Sequence, residues 1–491
     1  MQHRILSKTG VLRQQHCILH DLDGLWHKYA CDKAAEDAGY VVHHVSDEMV
    51  LRRIYECDYI SAPEQPRIIV FDTPAVYIPM DIDAKFISIE LSFRSVFPRL
   101  NADALCRLPG TDFDHLASIV DDATIAPLDR AKTEALCTTG LKSGRFAEAY
   151  GNKMLDEAVA AAQSATTHRD WTFPAVAFGK ASMIHHGGTE LDGFAEKQAC
   201  IEQAFVQWIE SKYNSLSGAV DKNRPVLLSK VNDFIRKSSA KRALIVMDGM
   251  SFENFHTIRR TLTAEEFSYE VQSTFSFFPT VTGVARQSIF SGKLPIEHAK
   301  PFSLENEEKQ WFDYWRNAGL RNEEIAFFKS EEPEIPRQAK AVGIVINICD
   351  DLMHDELQGL SGLQQGIETW MKNGRLVALI KKLLKNGFAV YMTADHGNTS
   401  ATAQGRFMKP GLLAEPASRR AVIYQSFADA IELAKFTTVR YSGSYLPKEA
   451  TAYLFEPGTC YGDKGKEYIT HGGMTLEEAV VPFIRIGEYN G

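Results

Sequence analysis

Residues 391–400 read Tyr-Met-Thr-Ala-Asp-His-Gly-Asn-Thr-Ser. They overlap the apolar run FAVYMT (388–393), which has the length and residue types of a buried strand. A carboxylate and an imidazole, Asp395 and His396, therefore stand side by side where a core strand ends, just before Gly397. The pair could simply cap a turn. It could also lie at the carboxyl edge of a parallel sheet, where open α/β folds gather their chemistry. These ten residues do not separate the two readings, so the decision falls to partners elsewhere in the chain.

Working outward, ALIVMDGM (243–250) is a second apolar strand ending in an acid, Asp248, and followed by Gly249. A third, AVGIVINIC (341–349), runs into Asp350, Asp351 and His354. Asp350 and His354 are four apart, so on a helical turn they share a face and could grip one metal. FFPTVTG (277–283) sets Thr280 and Thr282 just before a helical stretch at 284–291. A hydroxyl there lies among free backbone N–H groups suited to phosphate, although threonine is also an ordinary N-cap. YITHGG (468–473) places His471 before a glycine pair. Each of these has a plain structural reading taken singly. Together they make six hard or borderline ligands and a hydroxyl, the donor set of a two-metal phosphoryl-transfer site. Mixed imidazole and carboxylate donors suit zinc or manganese better than calcium or magnesium.

At 491 residues the chain is expected to form two or three domains. Its net charge of −9 argues against a general polyanion binder, leaving only a local basic patch open. No apolar run is long enough to span a bilayer, and MQHRILSKTGVLRQQ at the start lacks the apolar core of a secretory signal. Eight cysteines occur with no CxxC pair, which reads as reduced thiols in a cytoplasm and argues against a cysteine zinc site. Three regions separate. Residues 1–125 alternate strands (HCILH 16–20, YVVHHV 40–45, RIIVF 67–71) with helical stretches, as a small α/β domain does. HDLDG (20–24) invites a phosphatase nucleophile loop, but a strand-to-helix turn with acidic capping is the plainer reading. Residues 126–238 read as a helical domain without nameable chemistry, with His185 and His186 solvated in a loop before Gly187. Residues 239–491 carry the motifs. Within them, 298–340 reads either as a cap whose Trp311, Phe312 and Trp315 stack on a base, or as a peripheral helical pair with buried aromatics.

The order of these motifs resembles the alkaline phosphatase superfamily, with PTxT and DxxxH similar to its nucleotide pyrophosphatase/phosphodiesterase branch. The closest resemblance is to the PglZ domain family. It rests on ALIVMDGM, FSFFPTVTGVARQSIFSGKLP (275–295), YMTADHG (391–397) and YITHGGMTLEEAVVPFI (468–484), in that order. The resemblance implies an α/β fold whose C-terminal alkaline-phosphatase-like sheet is flanked by helices. It implies two divalent ions, most simply zinc, with manganese as the other choice. Asp248, Asp395, His396 and the nucleophile oxygen would surround one, and Asp350, His354 and His471 the other. In the related phosphodiesterases the second threonine of PTxT attacks phosphorus, here Thr282, with Thr280 as the alternative. Water then releases the phospho-enzyme. Two departures stand out. Asp351 follows Asp350, so either could be the ligand. Where those phosphodiesterases have Pro-Asn after the nucleophile, this chain has Gly283 and then Arg286. Arg286 could clamp a phosphate with its planar fork or be a surface ion-pair partner.

PglZ proteins occur in bacterial phage-exclusion (BREX) gene clusters and also joined to signalling receivers, and 1–125 carries no receiver signature. The resemblance therefore implies a phosphodiesterase or phosphatase acting on nucleotides or nucleic acid in anti-phage defence. The other reading is a non-catalytic component that binds partners such as a methyltransferase or ATPase of the same system. A pure scaffold has no need of Thr282, which favours catalysis.

Overall fold

Strand-like runs at the two ends of the chain build separate sheets. The computed structural model describes residues 1–71, 77–108, 111–355, 358–406, 418–425, 431–441 and 443–488. It divides into one unit of Met1–Tyr150 with Thr263–Ser268 and another of Gly151–Leu262 with Tyr269–Glu488. Among the described residues no helix is long and apolar enough to cross a membrane.

In the first unit β1 (His16–Asp21), β2 (Val41–Val45), β3 (Arg67–Phe71) and β4 (Ile87–Leu91) form a parallel sheet in the order β2-β3-β1-β4. Cys17 and Leu19 of β1 face one apolar cluster while Ile18 faces the other, the alternation a doubly covered sheet requires. The strands β1 to β3 coincide with the apolar runs. β4 is an edge strand with Ile87 half exposed and Glu90 in its middle, so it leaves no such run. The DxD stretch is spent on local structure: Asp21 accepts from Leu25 N and Trp26 N at 2.8 Å each, and Asp23 from Phe93 N at 2.6 Å.

In the second unit β5 (Arg242–Met247), β6 (Phe267–Phe275), β7 (Ile325–Phe328), β8 (Ala341–Ile346) and β9 (Ala389–Thr393) are joined by a late strand into the main sheet. Three strands, β10 (Thr399–Ala403), β11 (Ala421–Gln425) and β12 (Thr438–Tyr441), precede β13 (Ala450–Phe455), β14 (Thr459–Cys460), β15 (Glu467–Thr470) and that late strand, β16 (Val480–Glu488). The main sheet runs β6-β16-β9-β5-β8-β7, with β9, β5, β8 and β7 parallel and β16 antiparallel to β9. Every residue of β5 and β8 is buried, as expected for central parallel strands. Two small sheets, β14-β10-β15 and β11-β13-β12, complete the unit.

Two expectations change here and a third is narrowed. The helices Thr172–His186 and Phe194–Lys212, read as part of a separate helical domain, belong to the same unit as the main sheet. Glu202 of the second accepts from Leu476 N at 3.0 Å. His185 and His186 lie on the last helical turn rather than in a loop, and His186 Nδ1 sits 3.0 Å from Glu253 Oε1. Segment 298–340, open to a cap or to a peripheral helical pair with buried aromatics, supplies the helix Glu307–Asn317 and the edge strand β7, and its aromatics follow the second reading. Trp311 and Trp315 are fully buried, and Trp311 Nε1 donates to Ala326 O at 2.9 Å. Their four-residue spacing puts both on one helical face, turned into the core, so neither is a stacking platform for a base.

Candidate active site

The site grows from the register of three neighbouring strands. Val246 of β5 pairs with Thr393 of β9 and with Val345 of β8. Two residues further on, Asp395, Asp248 and Asn347 therefore end their strands level, one strand spacing (about 4.8 Å) apart. Asp350 lies in the first turn of the helix Ile348–Asp355 that follows β8. His471 arrives by another route: β10 pairs antiparallel with β15, Thr399 opposite Thr470, which sets His471 beside the 395–397 turn. The rings of His396 and His471 stack with centroids 3.9 Å apart. Gly397 is demanded by packing. A Cβ there would come 1.9 Å from the carbonyl oxygen of Glu477, and Gly397 N donates to Glu478 O at 3.0 Å.

Thr282 opens the helix Thr282–Ser291. Gly283 behind it lets the Phe302 carbonyl approach to 2.8 Å of where a Cβ would be, which accounts for glycine at this place. Thr282 Oγ1 lies 3.0 Å from His396 Nε2 and 3.5 Å from Asp248 Oδ1. Thr280 is engaged otherwise. Its hydroxyl donates to Gly473 O at 2.9 Å and accepts from Gly472 N at 3.0 Å, tying the 471–473 turn in place. Of the two adjacent acids, Asp350 Oδ1 stands 3.8 Å from His471 Nε2, whereas Asp351 is exposed.

Among the described residues, two groups have ligand atoms all within 4.8 Å of one another: Asp248, Asp395 and His396, and Asp350, His396 and His471. The first is the trio drawn from the resemblance. In the second, His396 stands with Asp350 and His471. His354 is exposed, and its Nε2 reaches Asp350 Oδ2 at 3.4 Å from the rim. His396 Nδ1 is 3.0 Å from Gly397 O and His471 Nδ1 is 2.8 Å from Thr280 O. A carbonyl only accepts, so each Nδ1 carries the proton and each Nε2 presents a lone pair to the site. Asp350 Oδ1, Asp395 Oδ2 and His471 Nε2 are buried without a hydrogen-bond partner. Orphaned acceptors of this kind, converging from three chain segments, fit divalent cations.

The electrostatics agree. Burial and then the neighbouring Asp395 charge push the Asp248 carboxyl well above the usual carboxylate range, and burial pushes Asp395 up as well. Burial is the largest single influence on Asp350 and pushes its carboxyl up, but the hydrogen bond with His354 and the charges of His471, His396 and His354 together outweigh it and hold that carboxyl at about 2. Burial, then the His396 charge, holds His471 down at about 3, so its ring is neutral at neutral pH. Since carboxylate ligands must be deprotonated, a cation binding here would release protons.

Arg286 is neither a surface ion-pair partner nor an open clamp. It is 4% exposed, with Nη1 2.5 Å from Asp248 Oδ2 and 3.4 Å from Asn347 Oδ1, and its Nε donates to Glu307. Glu307 and Asn347 escaped the sequence reading. Neither belongs to a motif, and only the level strand ends and the packing of helix Glu307–Asn317 bring them here.

Two clustered sets of oxygen and nitrogen donors, beside a hydroxyl that opens a helix, lie at the carboxyl edge of a mostly parallel, helix-flanked sheet. That is the alkaline-phosphatase-like class of phosphoesterase fold. The sequence model of the BREX system PglZ alkaline phosphatase-like domain matches residues 226–486, more than half of the chain, which therefore belongs to that family. A comparison with curated proteins finds no match. Among solved structures, the chain is similar to murine ectonucleotide pyrophosphatase/phosphodiesterase 5, with 13% identity and a TM-score of 0.37 over 50% of this chain and 88% of the other. It is similar also to phosphonoacetate hydrolase from Sinorhizobium meliloti 1021 in complex with phosphonoformate, with 14% identity and a TM-score of 0.36 over 50% and 89%.

Proposed function

We propose that this chain is a metal-dependent phosphodiesterase acting on nucleotides or nucleic acid, with Thr282 as its nucleophile. The observation that carries the proposal is the Thr282 hydroxyl, 3.0 Å from His396 Nε2 and 3.5 Å from Asp248 Oδ1, beside three orphaned buried acceptors. Asp248, Asp395 and His396 would hold one divalent ion, and Asp350 and His471 a second with His354 at its rim; zinc suits these donors, and manganese next. Such ions supply Lewis-acid polarisation of the phosphoryl group and favour ionisation of a neighbouring hydroxyl. The first-turn N–H groups of helix Thr282–Ser291 stabilise the phosphoryl oxygens beside the attacking hydroxyl. The Thr282 oxygen, having given up its proton, bonds to phosphorus as the leaving alkoxide departs and takes up a proton. The threonyl phosphodiester that remains keeps the other alcohol, and water cleaves its threonine ester to free Thr282 and a phosphomonoester. Likeness of PTxT and DxxxH to the phosphodiesterase branch supports diesters over monoesters. The family description, which names the BREX system, supports a setting in bacterial anti-phage defence; methyltransferase or ATPase components of that system would be its partners. The test is hydrolysis of bis- and mono-nitrophenyl phosphate by the metal-reconstituted chain. Diester turnover should exceed monoester turnover, and the reverse order refutes the diester assignment. No turnover of either with metal bound would favour the partner-binding role instead.

A further inference from the structure

A buried arginine is out of place in a site whose donors fit cations, and its pose carries information. An arginine beside a carboxylate prefers to take both oxygens through two parallel N–H bonds. Arg286 does not. Only its Nη1 meets Asp248, at Oδ2, while its Nε is turned away to Glu307. Asp248 Oδ1 is left facing Thr282 Oγ1 at 3.5 Å and His396 Nε2 at 3.7 Å. Glu307 is 1% exposed and begins the helix whose Trp311 and Trp315 anchor it in the core. The other oxygen of Glu307 lies 2.7 Å from Nζ of the exposed Lys329. Charge thus alternates from Asp248 through Arg286 and Glu307 to Lys329 and ends at solvent.

We infer that Glu307 is a positioning residue that holds Arg286 to a single contact, so that Asp248 keeps one carboxylate oxygen for a divalent cation. The inference rests on the metal reading of the site proposed above. A buried guanidinium must find anionic partners. Without the Glu307 charge, Arg286 satisfies itself on Asp248, taking both oxygens in a fork. Asp248 Oδ1 then leaves the set it forms with Asp395 and His396, and an uncompensated positive charge stands beside that set. The set of Asp350 and His471 does not touch Arg286 and keeps its ligands.

The test is calorimetric titration of the chelated full chain with manganese, with ions counted by elemental analysis and melting recorded separately. The wild type should take two ions. Glu307→Gln, equal in shape and without the charge, should bind one ion as the wild type does and the other 10–100-fold more weakly. A merely structural role would lower the melting temperature and leave both affinities unchanged, and that result overturns the inference. Glu307→Asp keeps the charge on an arm one methylene shorter and should weaken the same ion by a smaller factor. If Glu307→Gln does not fold, wild-type affinities in Glu307→Asp overturn the inference in its place. A wild type that takes no metal overturns the metal reading and this inference together, whereas two ions with unaffected variants overturn the role of Glu307 alone.

Discussion

Thr280→Ala and Thr282→Ala truncate the same side chain two residues apart, and the structure assigns them opposite outcomes. The Thr280 hydroxyl is fully buried and makes two hydrogen bonds, to Gly473 O and from Gly472 N. Losing the first costs about 1 kcal/mol, and stranding the buried Gly472 N–H costs about 1–3 kcal/mol more. The sum, about 2–4 kcal/mol, corresponds to a melting temperature lower by roughly 3–6 °C for a domain of this size. Among the described residues Thr282 Oγ1 has contacts with His396 and Asp248 alone, which in the metal-free chain are worth about 1 kcal/mol at most. Thr282→Ala should therefore melt within about 2 °C of the wild type. Turnover should reverse the ranking. With the proposed nucleophile removed, Thr282→Ala should lose at least about a thousandfold. Thr280→Ala, which disturbs His471 only through the turn, should lose about tenfold, or about 1.4 kcal/mol of transition-state stabilisation. Scanning calorimetry of the chelated proteins and bis-nitrophenyl phosphate hydrolysis of the manganese-loaded ones give the two readings. If Thr280→Ala is the inactive variant and Thr282→Ala the unstable one, Thr280 is the nucleophile and the reasoning fails.

Asp395→Ala should bind one divalent ion fewer by elemental analysis and lose turnover with it; retention of both ions would count against the ligand assignment. Burial, then the Glu477 charge, pushes the Glu202 carboxyl well above its ordinary 4.5. Below about pH 4.5 it is protonated whether folded or unfolded; as pH rises towards the folded-state value the unfolded chain ionises alone and stability falls. Glu202→Gln, neutral at every pH, should gain on the wild type in melting temperature between pH 5 and pH 8, and an equal offset at both pH values would refute this. In Gly397→Ala the new Cβ would lie 1.9 Å from the Glu477 carbonyl, so the variant should lose more than about 3 kcal/mol of stability along with its turnover. Wild-type melting by that variant would show that the 395–397 turn is not held against 477–478.

Much of this protein was legible in local sequence. Central parallel strands are buried on both faces, so β5, β8 and β9 stand out as unbroken apolar runs, and the residues just after them (Asp248, Asp350, Asp395 and His396) are thereby placed at one sheet edge. The edge strand β4 has no such run and escaped notice, for the same reason. What lay beyond reach depends on pairs far apart in the chain. The pairing of Thr399 with Thr470 puts His471 against His396 and 3.8 Å from Asp350, a meeting that spacing along the chain does not reveal. Contacts of Thr280 with the 472–473 backbone leave Thr282 as the hydroxyl facing the carboxylates, a difference that PTxT read alone does not contain. Trp311 and Trp315 enter the core, and Arg286 is buried between Asp248 and Glu307, because the helix Glu307–Asn317 packs beside the helix Thr282–Ser291. Period and composition report which face of an element is apolar; which distant polar groups meet across a packed interface is decided only when register and packing close around them.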